Sequence, residues 1–447
     1  MSDLDTAIYK AMANLASKDM SGGGAKIVLN EQQQRAYQAM VDGKNIFLTG
    51  IAGGGKSACV KHFVAMYKDI KHIGLTSTTG ISAVLIGGCT IHSFLGIGLG
   101  TGTIDSMCTN ITRNGKLRKR WNQLQTLVID EISMFSPELF DKIENLARCV
   151  RHSEAPFGGI QLILTGDMLQ LPAIGSDGLC FESKSWGKCI DEVIYLTKNH
   201  RQLDIKFQTC LNNVRLGKLP KSTREMLTSR IGVELNNELG IKPTKIYCKN
   251  ASVDYTNQLE LDKLNTGGAE FYEYEIEYEV YSSIKNKEYM REKYKKLCMA
   301  PETLQLCVDA QVMLLFNLDV DNGLANGSRG VVTSFVDDIP VVKFLNGREV
   351  AIDHHVWNIC EGDEQVMKIT QIPLKLAYSA SAHKLQGSTL DYAEVDLSDC
   401  FEWGQAYIMI SRVKTLEGLS IIAIDFDKIC AHPKALKYYE ELLANDH

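Results

Sequence analysis

A chain of 447 residues has room for two or three domains, each with a core of its own. With 45% hydrophobic and 23% charged residues it reads as a soluble globular protein, and no apolar run reaches the length of a membrane span. The net charge of −6 excludes a general polyanion binder but leaves room for a local basic channel.

The 13 cysteines form no C-x-x-C pair and no metal spacing with the 10 histidines, so they read as reduced, mostly buried thiols. His354 and His355 are adjacent but lack further partners at ligand spacing, which favours a surface or core pair over a metal site. The opening MSDLDTAIYK carries two aspartates and no arginine, against a secretory or transit peptide. The expected setting is intracellular: nuclear in a eukaryotic or viral context, cytoplasmic otherwise.

In chain order, Leu4, Ile8, Met12 and Leu15 share one helical face, and SGGGAK (21–26) reads as a flexible joint, making 1–26 a mobile appendage. In LNEQQQRAYQAM (29–40), Asn30 can cap a helix that carries Gln33. The Gln33 amide, donor and acceptor at once, could read adenine, or it could be a solvated helix glutamine.

The central stretch is NIFLTGIAGGGKS (45–57), an apolar strand that breaks into glycines before a lysine and a serine. Gly50, four residues, Gly55, Lys56 and Ser57 give the spacing of a phosphate-binding loop that opens a helix. Gly53, Gly54 and Gly55 allow the backbone to approach an anion, and Ala58 continues into the helix. Lys56 would reach the β and γ phosphates of ATP, and the Ser57 hydroxyl would hold Mg²⁺.

HIGLTSTTGISAVLIGG (72–88) reads as strand, polar turn and helix, with Thr78, Thr79 and Gly80 where a parallel sheet collects ligands. His92 and Phe94 could stack on bases or fill the core. Residues 96–120 lack regular periodicity and end in the basic cluster Arg113, Lys116, Arg118, Lys119 and Arg120. That cluster fits a solvated loop, a nuclear signal or a phosphate contact equally.

TLVIDEISM (126–134) is a buried strand ending in two acids. Asp130 would hold the water shell of Mg²⁺, and Glu131 would orient or deprotonate the attacking water. GGIQLILTGDMLQLP (158–172) is a further buried strand, with Gln170 placed to sense the γ phosphate. The alternation of strands and helices up to this point argues a doubly wound parallel sheet.

A second α/β unit begins near residue 200 with a helical segment, 199–217, that carries Arg201 near its start. Residues 270–281, EFYEYEIEYEVY, alternate as one strand, and the basic run 284–296 reads as a solvated helix before a DNA contact. Short apolar runs with turn signals over 304–354 mark a small antiparallel module. His383, Lys384, Gln386, Gly387 and Thr389 then form a polar cluster after a strand, and Arg412 sits on a helix before the last strand. Arg201 and Arg412 are what ATP held between two lobes requires, although either alone could be a surface ion pair.

The ordered set TSTTGISAVLIGGCTIHSFLGIG, DKIENLARCVRHSEAPFGGIQLILTGDMLQLP, SAHKLQGSTLD and GQAYIMISRVKTLEG resembles superfamily-one helicases of the Pif (petite integration frequency) family, relatives of the bacterial RecD subunit. The likeness runs from about residue 27 to 442. It implies two RecA-like lobes, a first at 27–199 with a wedge insert at 96–120, and a second at 200–268 and 373–447 interrupted by a β-barrel insert at 269–372. It implies a 5′-to-3′ DNA helicase fuelled by ATP and Mg²⁺, acting in replication, recombination or repair and on G-quadruplexes. Single-stranded DNA and forked or tailed duplexes are the implied partners of a monomer.

By the same resemblance Gln33 would read adenine, Lys56, Ser57, Asp130 and Glu131 would serve phosphate, metal and water, and Gln170, Arg201 and Arg412 would meet the γ phosphate. Gly387 would also border the nucleotide. Thr78, Thr79, His92, Phe94, His383, Lys384 and Thr389 would lie along the strand. Ala173, Met168 and His200 depart from the family's usual residues at their positions. The rivals are an RNA-directed motor, a RecD-type subunit of a nuclease complex, and an ATP-gated clamp that does not unwind.

Overall fold

The computed structural model describes residues 29–98, 100–173, 175–176, 178–235, 241–265, 268, 270–281, 287–288, 291–292, 300–316, 318–319, 322, 324, 327–361, 364–382, 385 and 388–445. The expected N-terminal appendage and most of the basic run 284–296 lie outside them.

The first lobe is built on β1 (Ile46–Gly50), β2 (Ile73–Ser77), β3 (Cys89–Thr90), β4 (Thr126–Asp130), β5 (Gln161–Thr165) and β6 (Glu192–Leu196). They form one parallel sheet in the order β3-β2-β4-β5-β1-β6. Strands β1, β4 and β5 are buried along their whole length, which is why they read as continuous apolar runs instead of alternating ones. Their carboxyl ends open on one edge, and the phosphate loop, the paired acids and Gln170 all follow them there.

The helix Pro137–Arg151 shows how the lobe closes over its sheet. The Ser136 hydroxyl accepts from the Leu139 N–H at 3.1 Å and Pro137 takes the first turn, where its missing N–H costs nothing. Phe140, Ile143, Ala147 and Val150 recur at helical spacing and bury against Leu127, Ile129, Leu162 and Leu164. Removing a ring such as Phe140 from this cluster would cost about 3–5 kcal/mol.

Residues 96–120 are more regular than the sequence suggests. They hold the helix Ile104–Arg113 and most of the helix Gly115–Gln123, capped by Thr103 and Asn114. Met107, Cys108 and Ile111 bury one face, but each helix is too short for its period to stand out in the sequence. Cys108 is joined to Cys149 as a disulfide, Cα to Cα 6.6 Å, which corrects the expectation that every cysteine is a free thiol. The packing of two helices brings together residues 41 apart, a pairing with no local spacing to announce it.

The second lobe has a four-stranded parallel sheet in the order Ser379–Ser381, Thr244–Tyr247, Ala393–Leu397, Leu419–Ile424. The helices Ile205–Arg215 and Gln405–Ile410 pack on it through Phe207, Leu211, Tyr407 and Met409. Among the described residues, three antiparallel sheets of five, three and two strands lie between residues 272 and 376. EFYEYEIEYEVY is two strands there, Tyr272–Glu275 and Glu277–Val280, because Ile276 switches the chain from one sheet to another.

The C-terminal helix Pro433–Asn445 departs from the expected domain limits. Ala435 and Tyr439 are buried in the core of the first lobe, so the chain returns there after finishing the second.

Candidate active site

The phosphate loop leaves β1 at Gly50 and enters the helix Lys56–Tyr67. Gly53 and Gly55 hold φ of 78° and 86°, a left-handed backbone that glycine adopts without strain. A Cβ on Gly53 would stand 2.8 Å from the Arg201 Cβ, and one on Gly55 would stand 2.3 Å from the Gln33 amide nitrogen. The loop is therefore built flush against two of the other expected nucleotide residues.

A cavity of about 530 Å³ opens at this loop. It is lined by Gly53, Gly54, Gly55, Lys56, Ser57 and Ala58, by Glu131 and Gln170 of the same lobe, and by Arg201, Thr389 and Arg412 of the second. Lys56 donates to the carbonyls of Gly50 and Ile51 at 2.8 and 3.0 Å. Desolvation lowers the pKa of its ammonium, opposed by the charges of Asp167 and Glu131.

The two acids differ in surroundings. Asp130 is buried at the end of β4, accepting from the Thr165 hydroxyl, from the Glu131 N–H at 3.0 Å and from the Ser57 hydroxyl at 3.4 Å. Burial raises its pKa despite these bonds. Glu131 takes a left-handed backbone at φ 56°, uncommon outside glycine, which turns it off the strand so that it lines the cavity. The hard oxygens of Ser57 and Asp130 on one side of the loop fit Mg²⁺ in their chemistry.

Arg201 precedes its helix instead of lying in it. The Asn199 side chain accepts from the N–H groups of Arg201 and Gln202 at 2.8 and 3.1 Å, and the helix starts only at Ile205. Arg412 lies two residues beyond the helix Gln405–Ile410. It donates to the Ile408 carbonyl at 2.9 Å, while Arg201 donates to the Ser411 carbonyl at 2.9 Å. Burial, and after it the nearby Arg201 charge, push the Arg412 pKa down to about 9. Two guanidiniums held close at one cleft wall favour an anion between them.

Gln33 is buried behind the loop, where its amide donates to the Gly54 carbonyl at 3.2 Å and lies 3.4 Å from the His200 ring nitrogen. Its side chain thus braces the loop.

The strand-contact residues separate. Thr78 and Thr79 follow β2, donating to the Glu131 carbonyl at 3.1 Å and to the Ser82 hydroxyl at 3.0 Å. His92 is half-buried beside Gly100. Phe94 turns inward onto Gly74 of β2, half-buried, with the Arg120 guanidinium 5.4 Å from its ring. Thr389 lines the cavity at the phosphate loop. His383, Lys384, Gln386 and Gly387 lie outside the described residues.

Sequence reasoning missed a buried cluster behind the cavity. Arg215 donates to both carboxylate oxygens of Asp167, and its third nitrogen donates to the Tyr195 hydroxyl at 2.9 Å. Burial would raise the Asp167 pKa, but Arg215 holds it below the usual carboxylate range. Tyr439 reaches the same place: its hydroxyl bonds Thr49 and accepts from the Met168 N–H at 3.0 Å. Asp167 follows a parallel strand just as Gln170 does, and that position was the available signal. Lys414 and Tyr407 were also missed; Lys414 lines the cavity, and the Tyr407 hydroxyl accepts from the Ala52 N–H at 2.8 Å.

Residues 28–225 match the family of PIF1-like helicases, and residues 291–335 match the 2B domain of DNA helicase Pif1. The chain is 37% identical to the ATP-dependent DNA helicase PIF1 of Xenopus laevis, over 93% of its own length and 65% of that protein's. It thus spans about two thirds of that relative. The Pif1 helicase of Candida albicans superposes with a TM-score of 0.77 at 34% identity, covering 93% of this chain and all, 100%, of that one. Pif1 of a Bacteroides species, solved with ADP-AlF4, gives a TM-score of 0.78 at 27% identity over 94% and 98% of the two chains. With the loop, paired acids and facing arginines already in place, these likenesses are decisive: the chain belongs to the PIF1-like helicase family.

Proposed function

We propose that the protein is an ATP-driven motor that moves 5′ to 3′ along single-stranded DNA and opens forked or tailed duplexes. One observation carries the reading. Lys56, Glu131 and Gln170 of one lobe and Arg201 and Arg412 of the other line a single cavity at the phosphate loop. A scaffold that never hydrolysed ATP would have no use for all five.

The chemistry follows from the positions. Backbone N–H groups of the loop and the Lys56 ammonium hold the phosphates, and Glu131 orients or deprotonates the attacking water. Arg201 and Arg412 neutralise charge as it spreads over the transferring phosphoryl group. Ser57 and Asp130 would hold Mg²⁺, which supplies Lewis-acid charge beside the phosphates. Because the arginines come from the second lobe, hydrolysis is tied to how closely the lobes approach. Stepping requires that the closed and open forms bind the strand with different affinity.

The Xenopus relative bears the name of an ATP-dependent DNA helicase, and the Bacteroides one was solved with a nucleotide analogue. The first favours DNA as the track and ATP as the fuel, and the second favours an adenine nucleotide in the cleft. Among the described residues no helix is long and apolar enough to cross a membrane. A monomer working inside the cell, in the nucleus if the source is eukaryotic or viral and in the cytoplasm otherwise, completes the proposal.

The test is ATP hydrolysis with and without single-stranded DNA, for the parent and for Lys56→Ala, followed by unwinding of duplexes with a 5′ or a 3′ tail. DNA-stimulated turnover lost in the variant, with opening from the 5′ tail alone, is expected. Unstimulated turnover would indicate a gated clamp, and opening from the 3′ tail would reverse the direction.

A further inference from the structure

Lys414 lines the nucleotide cavity, and its ammonium pairs with Asp391 at 2.7 Å. The strap that carries Asp391 is bound to the segment after Arg412. The Leu390 N–H donates to the Arg412 carbonyl at 2.9 Å, and the Lys414 N–H returns to the Leu390 carbonyl at 3.2 Å. Thr389, one residue before this bridge, also lines the cavity.

The other side of the strap meets the antiparallel module. A Cβ on Gly327 would lie 3.9 Å from Ser388 and 3.8 Å from the Thr389 carbonyl. Two residues on, Arg329 opens the strand Arg329–Val336, and the residue is buried at 2% exposure against the second lobe. One nitrogen donates to the Lys242 carbonyl at 3.2 Å and the Thr244 hydroxyl at 3.0 Å. Among the described residues Nε and the second terminal nitrogen have no acceptor.

A buried guanidinium with two unmet donors is costly, and such a cost persists where another arrangement of the same residues relieves it. Burial pushes the Arg329 pKa down to about 10, and the charge that most opposes it is that of Asp391.

We propose that Asp391 is a counter-ion shared by Lys414 of the nucleotide cleft and Arg329 of the antiparallel module. A nucleoside triphosphate that draws Lys414 onto its terminal phosphate leaves the carboxylate to Arg329. The module then senses the phosphate without touching it, through one side chain on a strap between them. The ligand that sets the switch is the γ phosphate, so a diphosphate leaves Lys414 with Asp391. This inference rests on the cavity being the nucleotide site.

The test uses the full chain and two fluorescent Mg²⁺ nucleotides, a non-hydrolysable triphosphate and a diphosphate. Affinities are measured for the parent, Arg329→Met, Asp391→Asn and the double variant. Arg329→Met is expected to weaken the triphosphate about tenfold, while in the Asp391→Asn background it changes binding less than about twofold. Diphosphate affinity is expected to stay within about twofold on the Arg329→Met change.

Equal weakening in both backgrounds, or none in either, overturns the coupling while leaving the nucleotide site intact. A parent that binds neither nucleotide overturns the site reading and the coupling with it. If Arg329→Met does not fold, Arg329→Lys replaces it. That variant keeps the charge with fewer donors, so a partial loss is expected, again confined to the background that retains Asp391.

Discussion

Arg215 and Asp167 form a two-pronged ion pair of 2.8 and 2.7 Å that joins the two lobes at a point shut off from solvent. Arg215 ends a helix of the second lobe, and Asp167 follows β5 of the first, three residues before Gln170. The rings of Tyr195 and Tyr439 lie 5.7 and 5.0 Å from the guanidinium. A geometry with each guanidinium nitrogen bonded and aromatic rings nearby is the kind in which a buried pair holds its partners in register.

Breaking that pair from one side leaves an uncompensated buried charge. Arg215→Met is expected to destabilise the protein by about 3–5 kcal/mol in urea unfolding. Replacing both partners with apolar residues should recover much of the loss, and a double variant as unstable as the single one would contradict this account.

The same pair predicts an acid limit. The folded Asp167 pKa lies below its unfolded value of about 3.9, so its contribution is complete above that value and is lost as pH falls through the folded one. Asp130 is shifted the opposite way, and a carboxylate must be ionised to hold a metal. Magnesium-dependent nucleotide binding should therefore weaken on acidification while Asp167 still stabilises the fold. Parallel titrations of binding and of unfolding check the order, and unfolding that precedes the loss of binding would be inconsistent with it.

Glu131→Gln keeps the size of the side chain and removes the base. Turnover should fall by about 10²–10⁴-fold with nucleotide affinity retained. Steady-state hydrolysis and equilibrium binding separate the two effects; a matching loss of affinity would assign Glu131 to binding.

Gly53→Ala adds a Cβ at φ 78° against Arg201. The left-handed backbone alone should cost about 1–3 kcal/mol. Turnover should drop further than stability explains, because Arg201 is displaced; thermal unfolding and DNA-stimulated hydrolysis on one preparation measure both.

Tyr439→Phe leaves the Met168 N–H without an acceptor and removes the bond to Thr49 at the end of β1. A loss of about 1–3 kcal/mol is expected, visible in denaturant unfolding. An unchanged midpoint would mean that the C-terminal helix is held by its apolar contacts alone.

The phosphate loop, the acids at 130 and 131, Gln170 and the alternation of strands with helices were legible because each is written locally. Glycines fix where a backbone can turn, apolar runs mark strands buried on both faces, and polar residues at their carboxyl ends mark the ligand edge. Partners chosen across the fold carry no such mark. Arg215 meets Asp167 48 residues away, Tyr439 returns to Thr49 over 390, and Cys108 finds Cys149 only because two short helices pack side by side. Spacing along the chain determined which backbone forms the glycine loop at the cavity, and only the packing of the lobes decided which side chains stand behind it.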